Sequence, residues 1–259
     1  MNQLELKKAL AKLPLGDVRY FDSVGSTNNE ALAWAASEAK DLSLVIADEQ
    51  TAGRGRLDRK WLTPRGTALA FSLILRPTAE EKPYLTRMVG LAALAIADAL
   101  RTRGLVAQIK WPNDVLLNGR KVAGILVESV WTGEEVDCLV IGIGVNVLHG
   151  AVPATELLQF PATSLEEALG PAIERDRVLH DILAGIVALR RHISTDSFIA
   201  SWEKALAFRG EQVQVEEGSG ISIVGKLLGL ESDGSLRLSS EDGKSITVRF
   251  GDVRLRPLG

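Results

Sequence analysis

Disulfide bonding within the chain is excluded at once, because its 259 residues include a single cysteine, Cys138. One thiol cannot form an internal bridge, and so little cysteine fits a reducing compartment. Histidine is almost as scarce: His149, His180 and His192 are scattered and form no zinc-type cluster. Aromatic residues are only 5% of the chain, few for a module that stacks nucleic-acid bases. Charge of neither sign dominates. Thirty Lys and Arg against 33 Asp and Glu leave a formal net charge of −3, so any basic site is local. Hydrophobic runs of membrane-spanning length without charge are missing, and the opening residues, MNQLELKK, carry no signal-peptide pattern. The expectation is a cytoplasmic protein that contacts neither membrane nor DNA.

What is present is an ordinary globular composition, 46% hydrophobic and 24% charged, enough for a full core. The patterning predicts a helix over residues 4–13, a strand at Val18-Arg19-Tyr20-Phe21, and apolar strands over 42–47 and 68–75. Thr27 with Glu30 reads as a capping box opening a helix through Ala36. A largely apolar helix is predicted over 84–103, a strand from Cys138 to Val147, a helix capped by Ser164, and a longer helical region over 175–208. Within its strand, Cys138 reads as a small core residue and not as a nucleophile. After Gly210 the texture changes to short alternating strands separated by turns such as Ser232-Asp233-Gly234-Ser235. The predicted fold is α+β: a mixed central sheet with flanking helices over residues 1–209, then a small SH3-like β-barrel over 210–259.

Two stretches carry chemistry. The first, Gln50-Thr51-Ala52-Gly53-Arg54-Gly55-Arg56-Leu57-Asp58-Arg59-Lys60-Trp61, lies between two apolar strands. Its glycines allow a close bend, and its cations offer charge-assisted donors to a phosphate or carboxylate. It has neither the P-loop spacing nor the Gly-x-Gly-x-x-Gly pattern. The second runs from Ile109 through Lys110-Trp111-Pro112-Asn113-Asp114 to Glu128, and its Asn118-Gly119 pair predicts a type I′ hairpin. A two-residue loop would pair Leu116 with Lys121 and Asp114 with Ala123, placing Asp114 and Lys121 on one face. Such charges need a partner: a ligand phosphate, a magnesium ion, or each other. Gly124 in mid-strand suggests close approach of a ligand or another backbone. Gly142, Gly144 and Asn146 bare one strand face, for a flat ligand or for a closely packed helix. Ser26, Thr27 and Asn28 could serve only as caps, or could hold a small polar ligand at a helix N-terminus.

Taken in order, Ser26-Thr27-Asn28, the Gln50–Arg56 loop with Trp61, Lys110–Asp114, Lys121–Glu128 and Gly142–Asn146 resemble the biotin protein ligase family across nearly the whole chain. The resemblance implies biotin and ATP as substrates, Mg2+, a biotinyl-5′-adenylate intermediate, and transfer to a lysine of a biotin carboxyl carrier protein, the acetyl-CoA carboxylase subunit or a relative. It assigns Ser26, Thr27, Asn28 and Gln50 to biotin, and Arg54, Gly55 and Arg56 to a loop closing over biotin and the adenylate phosphate. Lys121 would meet both the biotin carboxylate and the α-phosphate, with Gly124 and Asn146 lining the pocket. Arg56, Arg59, Trp61 and Asn113 would face the nucleotide, Asp114 the metal, and Lys121, Arg56 and Arg54 would serve the chemistry. A lipoate-type ligase and a non-catalytic biotin sensor are the alternatives, and members of the family often form homodimers. Three departures stand out. Asp58 takes a position where the family often has glycine; no tryptophan stands near 148–161 to stack on adenine, leaving Phe160 or Leu158; and no DNA-binding N-terminal domain precedes the first strand, so a ligase without operator binding is expected.

Overall fold

The computed structural model describes residues 3–257 apart from 38, 58, 155–157, 159, 218–221 and 250–252; Asp58 thus lies outside the described residues. After α1 (Gln3–Leu10), the chain alternates β1 (Val18–Phe21), α2 (Thr27–Ala35), β2 (Ser43–Ala47) and β3 (Ala68–Leu75). Then follow α3 (Met88–Arg101), β4 (Ala107–Lys110), β5 (Asp114–Leu117), β6 (Arg120–Thr132) and β7 (Glu135–Asn146). These seven strands form one sheet in the order β1-β2-β3-β7-β6-β5-β4. Only β1 and β2 are parallel, so the sheet is mixed, as expected.

The period-two alternation of the central strands decides what each sheet face does. On one face, Leu69, Phe71, Leu73 and Leu75 of β3 join Leu139, Ile141, Ile143 and Val145 of β7 in the main core. Helix α3 lies against that face and packs on α5 (Arg175–Arg190). The stretch Lys82–Arg101 is apolar and long enough to cross a membrane by length and composition, yet most of it is buried inside the protein. Its first turn is a 3-10 helix, Lys82–Arg87, so the helix predicted as one piece is two. Fully burying each large apolar side chain here contributes roughly 1.5–3 kcal/mol.

The opposite face is shared. At one end Val45, Ile74, Cys138 and Val140 are covered by Ala31, Trp34 and Ala35 of α2. Cys138 is fully buried there, and that burial pushes its thiol pKa up, as suits a core residue. At the other end Ser72, Gly142, Gly144 and Gly124 carry too little side chain to close the sheet over. The cleft opens there.

The 175–208 helical region breaks into α5 and α6 (Asp196–Lys204), and α4 (Leu165–Leu169) is capped by Ser164, whose Oγ accepts from the Glu167 N–H. The C-terminal sheet contains β8 (Gln212–Glu217), β9 (Ser222–Leu230), β10 (Leu236–Ser239), β11 (Ser245–Val248) and a fifth strand not foreseen, β12 (Val253–Pro257), in the order β11-β10-β9-β8-β12. Its β9–β10 turn is docked onto the larger unit. The Trp111 indole donates to Gly234 O at 2.9 Å, and Arg87 Nε donates to Ser232 O at 2.8 Å.

Candidate active site

The Asn118-Gly119 turn forms as expected, with φ of 49° and 73°, both in the left-handed region that type I′ requires. Leu116 pairs with Lys121, but a bulge at Val115/Leu116 shifts the register beyond it, so Asp114 faces Gly124 and not Ala123. The extra residue turns Ala123 into the core and leaves Lys121, Gly124 and Asp114 together on the cleft side. Lys121 Nζ lies 2.6 Å from Asp114 Oδ1, and Lys110 Nζ lies 3.7 Å from Oδ2. Burial alone would push the Asp114 carboxyl up; the ammonium groups of Lys121 and Lys110, aided by Arg59, outweigh it and hold the pKa below the ordinary carboxylate value. Backbone bonds on both sides of Lys121, from its N–H to Pro161 O and from Thr163 N–H to its carbonyl, fix where this lysine starts.

At the other end of the cleft most of the polar groups are neutral, and charge enters only through Glu128. The capping-box expectation fails: Ser26 is the N-cap of α2, with no side-chain cap bond, and Thr27 is already inside the helix. Its N–H and hydroxyl both go instead to Gln50 Oε1, at 2.8 and 3.1 Å. Gln50 Nε2 donates to Thr63 Oγ1. Ser72 Oγ lies 2.8 Å from Thr27 Oγ1 and 2.6 Å from Asn28 Oδ1. The Asn28 amide donates to Glu128 Oε2 at 2.7 Å. Ser26, Thr27 and Asn28 are nevertheless buried, so capping alone does not account for them. Sequence reasoning missed Ser72 and Glu128 as site residues. For Ser72 the signal was available: it is the one polar residue in the buried run Ala68–Leu75.

The glycine–arginine stretch makes a small hairpin of its own. Gly55 N–H donates to Arg59 O at 2.7 Å, Trp61 N–H to Gly53 O at 2.9 Å, and Arg54 bridges to Lys60. Arg54 Nη2 reaches Glu128 Oε2 at 2.7 Å, and Arg56 Nη1 reaches Asn113 Oδ1 at 3.4 Å. The bare glycine face is filled neither by a helix backbone nor by open space. A Cβ on Gly144 would strike the Trp61 indole, and one on Gly142 would strike the Asn28 amide. The buried Trp61 Nε1 has no hydrogen-bond partner among the described residues.

These elements enclose a cleft of about 470 Å³, large enough for a substantial organic ligand. It is lined by every residue assigned above: Ser26, Thr27, Asn28, Gln50, Arg54, Gly55, Arg56, Arg59, Trp61, Asn113, Asp114, Lys121, Gly124 and Asn146. Asn146 donates to Thr163 O at 3.1 Å, and Phe160 and Leu158 complete the wall. One face of the Phe160 ring is taken by Lys110 Nζ, 4.9 Å from its centroid.

A family model described as Biotin/lipoate A/B protein ligase family matches residues 20–146. The chain is 37% identical over 229 residues to a Biotin–[acetyl-CoA-carboxylase] ligase of Paracoccus denitrificans, covering 85% of this chain and 93% of that one. It is 36% identical over 230 residues to the Bifunctional ligase/repressor BirA of Bacillus subtilis, covering 86% of this chain and 70% of that protein. Among solved structures, the biotin protein ligase from Aquifex aeolicus in complex with biotin and ATP superposes with a TM-score of 0.80 at 31% identity, covering 93% of this chain and 99% of the other.

Proposed function

Because the chain belongs to the biotin/lipoate A/B protein ligase family, we propose that it is an ATP-dependent biotin protein ligase. In the first step a biotin carboxylate oxygen attacks the α-phosphorus of ATP. The new P–O bond forms as the α–β bridge breaks, giving biotinyl-5′-adenylate and pyrophosphate. In the second, a lysine amine of a biotin carboxyl carrier protein attacks the acyl carbon; AMP leaves and the amine proton is lost to solvent. The acceptor class follows from the Paracoccus relative, whose name specifies acetyl-CoA carboxylase. Under this reading residues 1–209 form the catalytic unit and 210–259 a small module docked on it, and the setting is the cytoplasm, where ATP is supplied.

The observation that carries the proposal is one cleft with two chemically opposite ends. The neutral hydroxyl and amide network of Thr27, Asn28 and Gln50, with Ser26 beside it on the cleft wall, suits an uncharged polar head such as a ureido ring. The cationic end suits a carboxylate brought against a phosphate, where repulsion must be offset by positioned charge and no nucleophile is needed. Lys121 belongs to that end through its pair with Asp114, and Arg54 and Arg56 line the same cleft from the hairpin. Trp61 presses onto the sheet between Gly124 and Gly144, and its buried indole N–H is a donor suited to a ligand acceptor. Asn113, Arg59 and Asn146 complete the nucleotide side.

Asp114 fits poorly as a magnesium ligand, because both its oxygens face ammonium groups at 2.6 and 3.7 Å. Among the described residues no group of three metal-binding side chains occurs. Magnesium is therefore expected to enter on the phosphates of ATP, and the role assigned to Asp114 becomes holding two lysines in place.

The test is pyrophosphate release from Mg-ATP with biotin and lipoate compared as the acid. Biotin-dependent release, followed by labelling of a carrier-protein lysine, is the expected result. Release with lipoate alone would move the chain to the other branch of its family. Tight biotin binding without release would make it a sensor.

A further inference from the structure

Glu128 lies on β6 on the rim of the cleft, and one of its oxygens does two things. Oε2 accepts from Arg54 Nη2 at 2.7 Å and from the Asn28 amide at 2.7 Å. Arg54 opens the glycine–arginine hairpin, and Asn28 stands in the first turn of α2 with its Oδ1 on Ser72. The Asn28 amide also points toward Leu126 O at 3.4 Å, so its nitrogen side faces β6 and its oxygen side the Ser72 hydroxyl. Asn28 cannot retreat toward the sheet, since it already occupies the space a side chain at Gly142 would need. A single carboxylate on a rigid strand therefore ties the hairpin to the helix end that holds the acid. The pair is half-exposed, with Glu128 at 25% and Arg54 at 40% side-chain accessibility, so it contributes little to global stability.

We propose that Glu128 is a positioning residue that registers the hairpin against the acid pocket and so keeps the reactive adenylate sheltered between the two half-reactions. It need not touch either substrate. Its role rests on the ligase reading above and deepens it. An acyl adenylate is a mixed anhydride, and any looseness of the hairpin admits water to the acyl carbon before the carrier amine arrives. The consequence is a change in partition between hydrolysis and transfer, which a loss of folded protein would not produce.

The experiment measures pyrophosphate released per carrier lysine modified, in wild type, Glu128→Gln, Arg54→Ala and the double variant, with thermal melting of each. Glutamine keeps the shape and one acceptor oxygen but removes the charge that holds Arg54. The expected result for Glu128→Gln is a ratio raised about threefold, the scale set by a half-exposed ion pair, with an unchanged melting temperature. The double variant is expected to match Arg54→Ala, because both substitutions remove the same contact. An unchanged ratio in Glu128→Gln, or a double variant whose ratio is the product of the singles, overturns the role. A wild-type protein that releases no pyrophosphate with biotin overturns the ligase reading itself, and this role with it.

Discussion

The two ends of the cleft solve the problem of burying polar groups in different ways. Around α2 the groups that meet over the sheet are neutral: Thr63, Gln50, Thr27, Ser72 and Asn28 form a continuous run of hydrogen bonds, joined by charge only where Asn28 meets the Glu128–Arg54 pair. Around β5 and β6 the groups are ionic, with one buried carboxylate held between two lysines. Neutral networks select by geometry, since each donor and acceptor must be matched or left at a cost of about 1–3 kcal/mol. Ionic clusters select by charge and remain net positive here, leaving Lys121 and Lys110 able to face an anion while Asp114 limits their motion. One end is suited to recognising a ligand; the other is suited to changing it.

The comparison breaks most severely at Lys121. Lys121→Ala is expected to lower biotin-dependent pyrophosphate release by about a hundredfold to a thousandfold, the range for losing one positioned charge at a reacting centre. A drop of only a few-fold would move the charge-neutralising role elsewhere. Asp114→Asn should act on stability, costing about 3 kcal/mol by leaving the buried Lys110 and the partly buried Lys121 without their shared counter-ion. Its pH dependence has a definite sign. The folded pKa is depressed, so the ion pair contributes fully above the unfolded value of about 3.9 and is lost as pH falls toward the folded value. Urea unfolding should therefore show a wild-type advantage that is constant above about pH 5 and shrinks below about pH 4. An advantage that grew on acidification would refute this assignment.

At the neutral end the effects are smaller and fall on binding. Gly142→Ala places a methyl group on the Asn28 amide, and overpacking of about 1–3 kcal/mol should appear as biotin binding weakened roughly tenfold or more. Calorimetry giving wild-type affinity would mean that Asn28 can move without consequence. Ser72→Ala removes the hydroxyl between Thr27 and Asn28, a loss near 1 kcal/mol or about fivefold in biotin affinity, with little effect on the rate at saturating biotin. A fall in that rate larger than the fall in affinity would place Ser72 in the chemistry.

Much of the site was legible because its residues are unusual for their surroundings. Paired cations between core strands, a mid-strand glycine and a buried Asp–Lys pair are costly for folding alone, and all of them line one cleft. Glu128 was not legible, because a carboxylate near a strand end reads as a solvated residue until Arg54 is seen 2.7 Å away. The hairpin register was half legible. The Asn-Gly turn specifies pairing near the loop, but the bulge at Val115/Leu116 goes with the burial of both Val122 and Ala123 in the core, a packing that acts across the sheet.

By itself the sequence determined the strands of the main sheet other than the edge strand β4, the type I′ turn, the change of texture after Gly210 and the family, since period-two alternation, turn chemistry and motif order are local properties of the chain. Only the tertiary structure decided that Thr27 turns to Gln50 instead of capping its helix, that Trp61 and Asn28 occupy the space over the glycines, and that Glu128 joins two parts of the site. These outcomes depend on which of several possible partners the folded chain holds within hydrogen-bond reach, and residues about 100 positions apart meet only when the sheet brings them together.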